Sequence, residues 1–481
     1  MKNKSIWESE LKEYNLKCCY KKEKLETDIC IIGAGITGMT LAYFLKDSKK
    51  KVLVIDKGQA LSGVTCKTTA KVSFVQQDIY SKLKCMRGKS VAKEYLNSQF
   101  EGIELIKEII KKEKIECDFR KADAVLFTLE KCDISKIKKE EKVLNEFGIK
   151  TYKVEDKNIE YGIRVKGNYV FHPIKYLNKI KECVEENIKI YENVIAENIT
   201  KEENGYIINT NTLDIYAKNV VLACHYPFQI IPGFIPAKTH VKREYVNAAK
   251  IEDIKGVAAI NIGKNLHSIR YYEDYVIYGS NEHRITSKIR YKTNYDKSRD
   301  EFKNYFNKYP EYTWMNQDVN SNDYLPFIGL LKQGLYVATA YNAWGMTNGT
   351  IAAKCIANEI IGKENKYKKL FKTNRLNLCL ILNSAYGLLC YLKSYIEGLF
   401  NKNNPSYVKI EGVLYGIYTD EKGKAHKVKL ICPHMRCPLV FNEEEKTWDC
   451  PCHGSRFDID GNIIEGPAKE NIQNINCDKS C

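Results

Sequence analysis

The segment CPHMRCPLVFNEEEKTWDCPCHGS, Cys432 to Ser455, places four cysteines and two histidines within 24 residues. Cys432-x-His434 and Cys450-x-x-His453 form two Cys/His pairs separated by 15 residues. If the pairs share one metal centre, this part of the chain must fold into two facing loops, because protein ligands converge to about 2.0–2.3 Å of a metal. Two chemistries fit. One is a Cys₂His₂ zinc site. The other is a [2Fe–2S] centre in which one iron takes two thiolates and the second takes two imidazoles. Cys437 and Cys452 are surplus to either set and sit at the tips of the ligand loops.

CPCHGS, with Gly466-Pro467 placed for a third covering loop, resembles the Rieske domains of respiratory complexes over about residues 407–470. That resemblance implies that Cys432 and Cys450 bind the inner iron and that His434 and His453 bind the outer iron near the surface. It also implies a Cys437–Cys452 disulfide tying the two loops over the cluster, a tie that zinc does not need. Arg436 replaces a usual glycine, and Phe457 stands where high-potential members carry a tyrosine, while Ser455 is kept. One hydroxyl donor fewer at the cluster sulfurs leads us to expect a potential in the middle of the roughly −150 to +300 mV Rieske range.

The chain opens with a different motif. TDICIIGAGITGMTLAYFLKDSKKKVLVID, Thr27 to Asp56, has the order strand, G-x-G-x-x-G (Gly33, Gly35, Gly38), helix, strand, acid. Gly33 allows a tight turn, Gly35 lets a pyrophosphate approach the backbone, and Gly38 lets helix and strand pack closely. The helix N-terminus offers free N–H groups to phosphates, Ile36 and Thr37 among its first residues. Asp56 is placed to accept ribose hydroxyls and to repel a 2′-phosphate, which disfavours NADP. The motif alone does not separate FAD from NAD.

At 481 residues the chain has room for two or three folding units. Its net charge of +16 (76 basic against 60 acidic side chains) comes without any nucleic-acid-binding signature, so nucleic acid is not an expected partner. No signal-peptide core stands at the N-terminus, which points to a cytoplasmic protein. Eighteen cysteines then argue for metal or redox use at some positions and buried thiols elsewhere. Cys18, Cys19, Cys477 and Cys481 fall in no motif. The apolar stretch Leu376 to Leu392 is short and interrupted for a membrane span. It reads as a buried or docking helix, ahead of a membrane-associated one, and Asn401 to Pro405 reads as a linker. Arg87 to Ile115 reads as an amphipathic scaffold helix, with Val91, Tyr95, Ile103, Ile106 and Ile110 on one side.

SGVTCKTTAKVS (Ser62 to Ser73), KNVVLACHYP (Lys218 to Pro227) and the glycine-rich run through Asp323 to Ile360, joined to the N-terminal motif, resemble flavoproteins of the D-amino-acid-oxidase type, including glycine and sarcosine oxidases. The resemblance covers about residues 25–365. It implies an α/β doubly wound FAD-binding domain (about 25–80, 150–225 and 323–365) and an antiparallel-sheet substrate domain (81–149 and 226–322). A helical linker (376–405) and a small all-β Rieske domain (406–481) follow. FAD contacts are expected from Gly33, Gly35, Ile36, Thr37, Gly38, Asp56, Lys57, Thr69, Ala70 and Ala223. Gly345, Met346, Thr347, Asn348 and Gly349 are expected in a turn before a helix starting near Thr350, whose N-terminus would face the flavin. Arg243, Arg270 and His283 are the candidate catalytic residues, an arginine clamping a substrate carboxylate, and His172 is expected to be structural. The layout implies a dehydrogenase of an amine or amino-acid-like substrate, with FAD feeding a Rieske [2Fe–2S] cluster and then an acceptor protein or quinone. An electron-transfer module or a redox sensor loaded by a reduced partner is the alternative.

Overall fold

The computed structural model describes residues 2–11, 23–229, 232–252, 255–400 and 407–474. The linker at Asn401 to Pro405 and Cys18, Cys19, Cys477 and Cys481 lie outside the described residues. The first layer is a sheet with a parallel centre. Strand Glu23–Ile32 lies between Val52–Ile55 and Leu213–Leu222, and Lys189–Tyr191 and Leu335–Thr339 extend it in parallel on either side. Strand residues Cys30, Ile31, Val54 and Ile55 are fully buried, as expected for a sheet covered on both faces. Helix Ile36–Leu45 covers one face together with Gly345–Ile360 and Pro173–Glu185.

A second sheet of eight strands is antiparallel except where Val257–Asn261 runs parallel to Asp123–Thr128. It includes Thr151–Lys153 and Tyr161–Val165, from the stretch expected in the FAD-binding part. Its strand Thr239–Lys250 pairs with Tyr275–Arg284 on one side, with a register shift between Arg243 and Tyr245, and with Tyr312–Ser321 on the other; these strands carry most of the side chains discussed below. Helix Lys89–Lys112 buries Tyr95, Ile103 and Ile106, with Val91 and Ile110 packed against the core, confirming the amphipathic reading.

The C-terminal unit is two small sheets, Tyr407–Ile410 through Ala425–Lys429 and Val440–Asn442 through Ile463–Glu465, around a core with Trp448 and Phe457 fully buried. Helix Leu378–Phe400 leads to it. This helix is not buried: Leu380 is covered, but Leu382, Leu388 and Leu389 are exposed. Alternating faces of one helix meet different surroundings, which an overall apolar composition does not reveal.

Candidate active site and cluster site

A cavity of about 350 Å³ opens over the C-terminal ends of the parallel strands, lined by Gly33, Gly35, Ile36, Thr37, Asp56, Lys57, Thr69 and Ala223. Its glycines are required by contact. A Cβ at Gly33, where φ is +110°, would lie 2.5 Å from Ala223 O, and one at Gly38 would lie 1.8 Å from Gly33 O. Gly38 therefore acts through packing. Asp56 accepts hydrogen bonds from Ala34 N (2.6 Å) and Gly58 N (2.9 Å) and still faces the cavity. His225 presents a buried Nε2 with no partner among the described residues, at the same cavity wall. This cradle of glycines, helix N-terminus and acid fits an adenine dinucleotide.

Helix Gly345–Ile360 begins at Gly345, so the expected turn at 345–349 is its first turn. Gly345 and Met346 line the cavity. Thr347 and Asn348 instead hydrogen-bond Gln99 on helix Lys89–Lys112, at 2.7 and 2.9 Å, and so tie the two helices together. Gly349 packs on Thr37. Ala70 does not line the cavity, but its carbonyl is anchored beside it.

In the C-terminal unit the Cys437–Cys452 disulfide is formed, with Cα atoms 6.5 Å apart. The sulfurs of Cys437, Cys450 and Cys452 cluster within 4.8 Å, but two are consumed by that bond and are not ligands. Cys432 and Cys450 remain as buried free thiols. The rings of His434 and His453 lie 5.0 Å apart. Both ring nitrogens of His434 and Nδ1 of His453 are buried without partners among the described residues. Burial lowers His434 to about 4 and His453 to about 3, so both imidazoles are neutral and keep a lone pair for a metal. Two thiols and two orphaned imidazoles match a two-iron centre. Ser455 accepts from Ala468 N at 2.9 Å and hydrogen-bonds the Cys432 sulfur.

A second cavity, about 340 Å³, adjoins the first; Thr68, Thr69, Glu244, Ala343, Gly345 and Met346 line both. Its charged groups are partly self-paired: Lys242 with Glu282 at 2.6 Å and Lys82 with Asp78 at 2.7 Å. His240 is kept neutral by burial, at about 4. Lys71 is engaged by Ala259 O and Ser268 Oγ, whereas Glu244 and Arg284 form no ion pair with another described residue. Arg284 has a buried Nη2 with no partner among the described residues.

Residues 28–359 match the family model described as FAD dependent oxidoreductase (DAO), and residues 394–476 match that of the Rieske [2Fe-2S] domain. The chain belongs to the DAO family and ends in a Rieske domain. A putative Rieske 2Fe-2S iron-sulfur protein of Bacillus subtilis, YhfW, is 30% identical over 95% of both chains. Glycine oxidase from Geobacillus kaustophilus superposes with a TM-score of 0.62 at 14% identity, covering 73% of this chain and 99% of that one. L-proline dehydrogenase from P. horikoshii does so with a TM-score of 0.59 at 17% identity, covering 73% and 98%. FAD and a [2Fe–2S] cluster are the cofactors of this flavoprotein.

None of the three expected catalytic residues lines either cavity. Arg243 is fully buried; its Nη1 meets Asp449 Oδ2 of the Rieske domain at 2.7 Å and its Nε donates to Gln317 at 2.8 Å. Arg270 holds three carbonyls, those of Thr69, Ala70 and Phe171. His283 lies against Tyr245 Oη at 3.1 Å. For Arg243 and His283 the reason is strand alternation. Lys242 and Glu244 face the cavity where Arg243 faces away, and Glu282 and Arg284 do so where His283 faces away. His172 caps helix Pro173–Glu185 and is structural as expected. Sequence reasoning also missed Trp7, fully buried, whose Nε1 donates to Thr68 O at 2.8 Å. Trp7 and Arg270 together fix three successive carbonyls of the loop between the cavities. A single tryptophan in a charged N-terminal segment carries no motif that would have revealed this.

The Rieske domain itself closes the FAD cavity, through Ile463 to Ala468. Gln317 lines that cavity and donates to Gly454 O at 2.9 Å, beside the ligand His453. Gly454 has φ +81°, and a Cβ there would strike Gln317 at 2.8 Å. His453 is only 5% exposed, its ring 4.7 Å from that of Tyr391 and 6.4 Å from that of Tyr226. The histidine edge expected at the surface is therefore turned toward the flavin domain, which places the two cofactor sites side by side.

Proposed function

We propose that this flavoprotein oxidises the C–N bond of an amine or amino-acid-like substrate and passes the electrons through its Rieske domain to an acceptor protein or quinone. When bound, FAD takes up two electrons from a substrate and a [2Fe–2S] cluster releases them singly. The observation that carries the reading is Arg284, which lines the cavity adjoining the FAD cavity, stacks on the Tyr386 and Tyr391 rings, and has an Nη2 with no hydrogen-bond partner among the described residues. Its guanidinium is suited to a substrate carboxylate, held bidentately. Glu244, on the boundary of the two cavities, takes the proton from a substrate ammonium group. Burial, and then the neighbouring Glu282, raise its carboxyl to about 7, matched to neutral pH. Lys71, which donates to Ala259 O at 2.8 Å and Ser268 Oγ at 2.7 Å, fixes the cavity floor. The superposing glycine oxidase and L-proline dehydrogenase structures support this substrate class.

The test is anaerobic titration of the purified protein with a panel of amines and amino acids, following flavin bleaching and then the cluster's electron-spin signal. Bleaching by a carboxylate-bearing amine, weakened in Arg284→Ala, supports the reading. If no compound bleaches the flavin while a reduced ferredoxin or NADH does, the protein is an electron-transfer module and the substrate reading is wrong.

A further inference from the structure

Helix Leu378–Phe400 has 23 residues, about 34 Å at 1.5 Å per residue, and divides cleanly into two faces. One face is seated on the protein. Leu380 is buried, Tyr391 Oη donates to Thr239 O at 2.8 Å, and Gly398 packs on Pro438, next to the bridging Cys437. The other face is apolar and uncovered. Ile381, Leu382, Leu388, Leu389, Leu392 and Ile396 recur at helical spacing and are each between 51% and 65% exposed. Tyr386, 64% exposed, lies at the edge of this face, where it also lines the second cavity. Scattered exposed leucines are ordinary, but a continuous stripe of this length on one helix marks a docking surface.

Charge decides what docks there. The sole charged side chain among the exposed described positions of the stripe is Lys393. Just before the helix, Lys363, Lys368, Lys369 and Lys372 are all exposed, and neither they nor Lys393 form an ion pair with another described residue. The acid on the helix, Glu397, is engaged by Lys288 at 3.0 Å. A second copy of this chain would bring the same lysines and the same net charge of +16 against them. An anionic lipid surface would be complementary to both the stripe and the lysines. No helix among the described residues is long and apolar enough to cross a membrane, so the helix would lie in the interface rather than span it.

We infer that the exposed face of helix Leu378–Phe400 seats the protein on an anionic membrane surface, its leucines in the headgroup boundary and its lysines on the phosphates. Tyr391, on the same helix, touches His453, so the membrane-facing element and the cluster site are directly connected. The inference stands on this face alone and does not depend on the substrate.

Flotation of the holoprotein with vesicles of phosphatidylcholine containing phosphatidylglycerol, against pure phosphatidylcholine, tests it. The wild type should float with the anionic vesicles and be released by high salt. Leu382→Glu combined with Leu389→Glu should abolish flotation with flavin and cluster absorbance unchanged. Lys368→Gln, Lys369→Gln and Lys372→Gln together should reduce the partition coefficient on the order of a hundredfold, at about 1 kcal/mol per lysine. No flotation of the wild type would overturn the inference, as would flotation insensitive to the leucine variant. A dimer in sedimentation equilibrium that Leu389→Glu dissociates, without vesicle binding, would assign the face to a second copy instead.

Discussion

Arg243→Met should uncouple the Rieske domain from the flavin domain. Arg243 and Asp449 are both fully buried, with Nη1 and Oδ2 2.7 Å apart, one partner from each domain. With charge centres about 4 Å apart, their attraction is about 4 kcal/mol at an effective dielectric of about 20. Removing one partner of a buried pair costs about 3–5 kcal/mol, because the other charge is left stranded. Asp449 retains Arg456, whose Nε is 3.4 Å from Oδ1, so the loss should fall at the lower end, about 3 kcal/mol. The assay is urea unfolding of the holoprotein, followed in parallel by flavin fluorescence and by cluster absorbance. In the wild type the two transitions should coincide. In Arg243→Met the cluster transition should move to lower urea and separate from the flavin transition. Adding Asp449→Asn neutralises the stranded acid and should recover about half the loss. The reasoning is refuted if Arg243→Met shifts the cluster transition by less than about 0.5 kcal/mol, or if the two single effects simply add.

Gly38→Ala should yield protein without FAD, since its Cβ would stand 1.8 Å from Gly33 O; the flavin-to-protein absorbance ratio reads this directly. Cys450→Ser should eliminate the cluster's iron and electron-spin signal while FAD content stays at the wild-type level, which iron analysis checks. With Glu244 held at about 7, kcat/KM should rise with pH through about 7 as the carboxylate form becomes populated, and Glu244→Gln should remove that limb; an unchanged profile would exclude Glu244 as the proton acceptor. Burial lowers Lys71 to about 7, so between pH 7 and about 10.4 the unfolded chain holds its proton more tightly and stability should rise with pH; thermal unfolding of Lys71→Met should show a smaller slope in that window.

What was legible in the sequence was local. Gly33, Gly35 and Gly38, with Asp56, sit in a short stretch whose spacing allows one strand–turn–helix geometry, and the structure bears that out. Cys432, His434, Cys450 and His453 likewise lie on two short loops whose partners are close in the chain. Arg243 and His283 were misplaced for one reason: the sequence marks a basic strand residue but not which face it occupies. A shift of one position along a strand exchanges cavity for interior, so Lys242, Glu244 and Arg284 were hidden beside the residues selected.

The sequence by itself determined the two cofactor cradles and the order in which they occur, because each is specified by backbone constraints within a few tens of residues. The tertiary structure alone decided the second cavity, which gathers Lys71, Glu244, Arg284 and Tyr386 from four separate segments. It also decided that the Rieske loop at Ile463 to Ala468 forms a wall of the FAD cavity. Such contacts join residues hundreds of positions apart, and they depend on strand register and domain packing, which the spacing of residues along the chain does not encode.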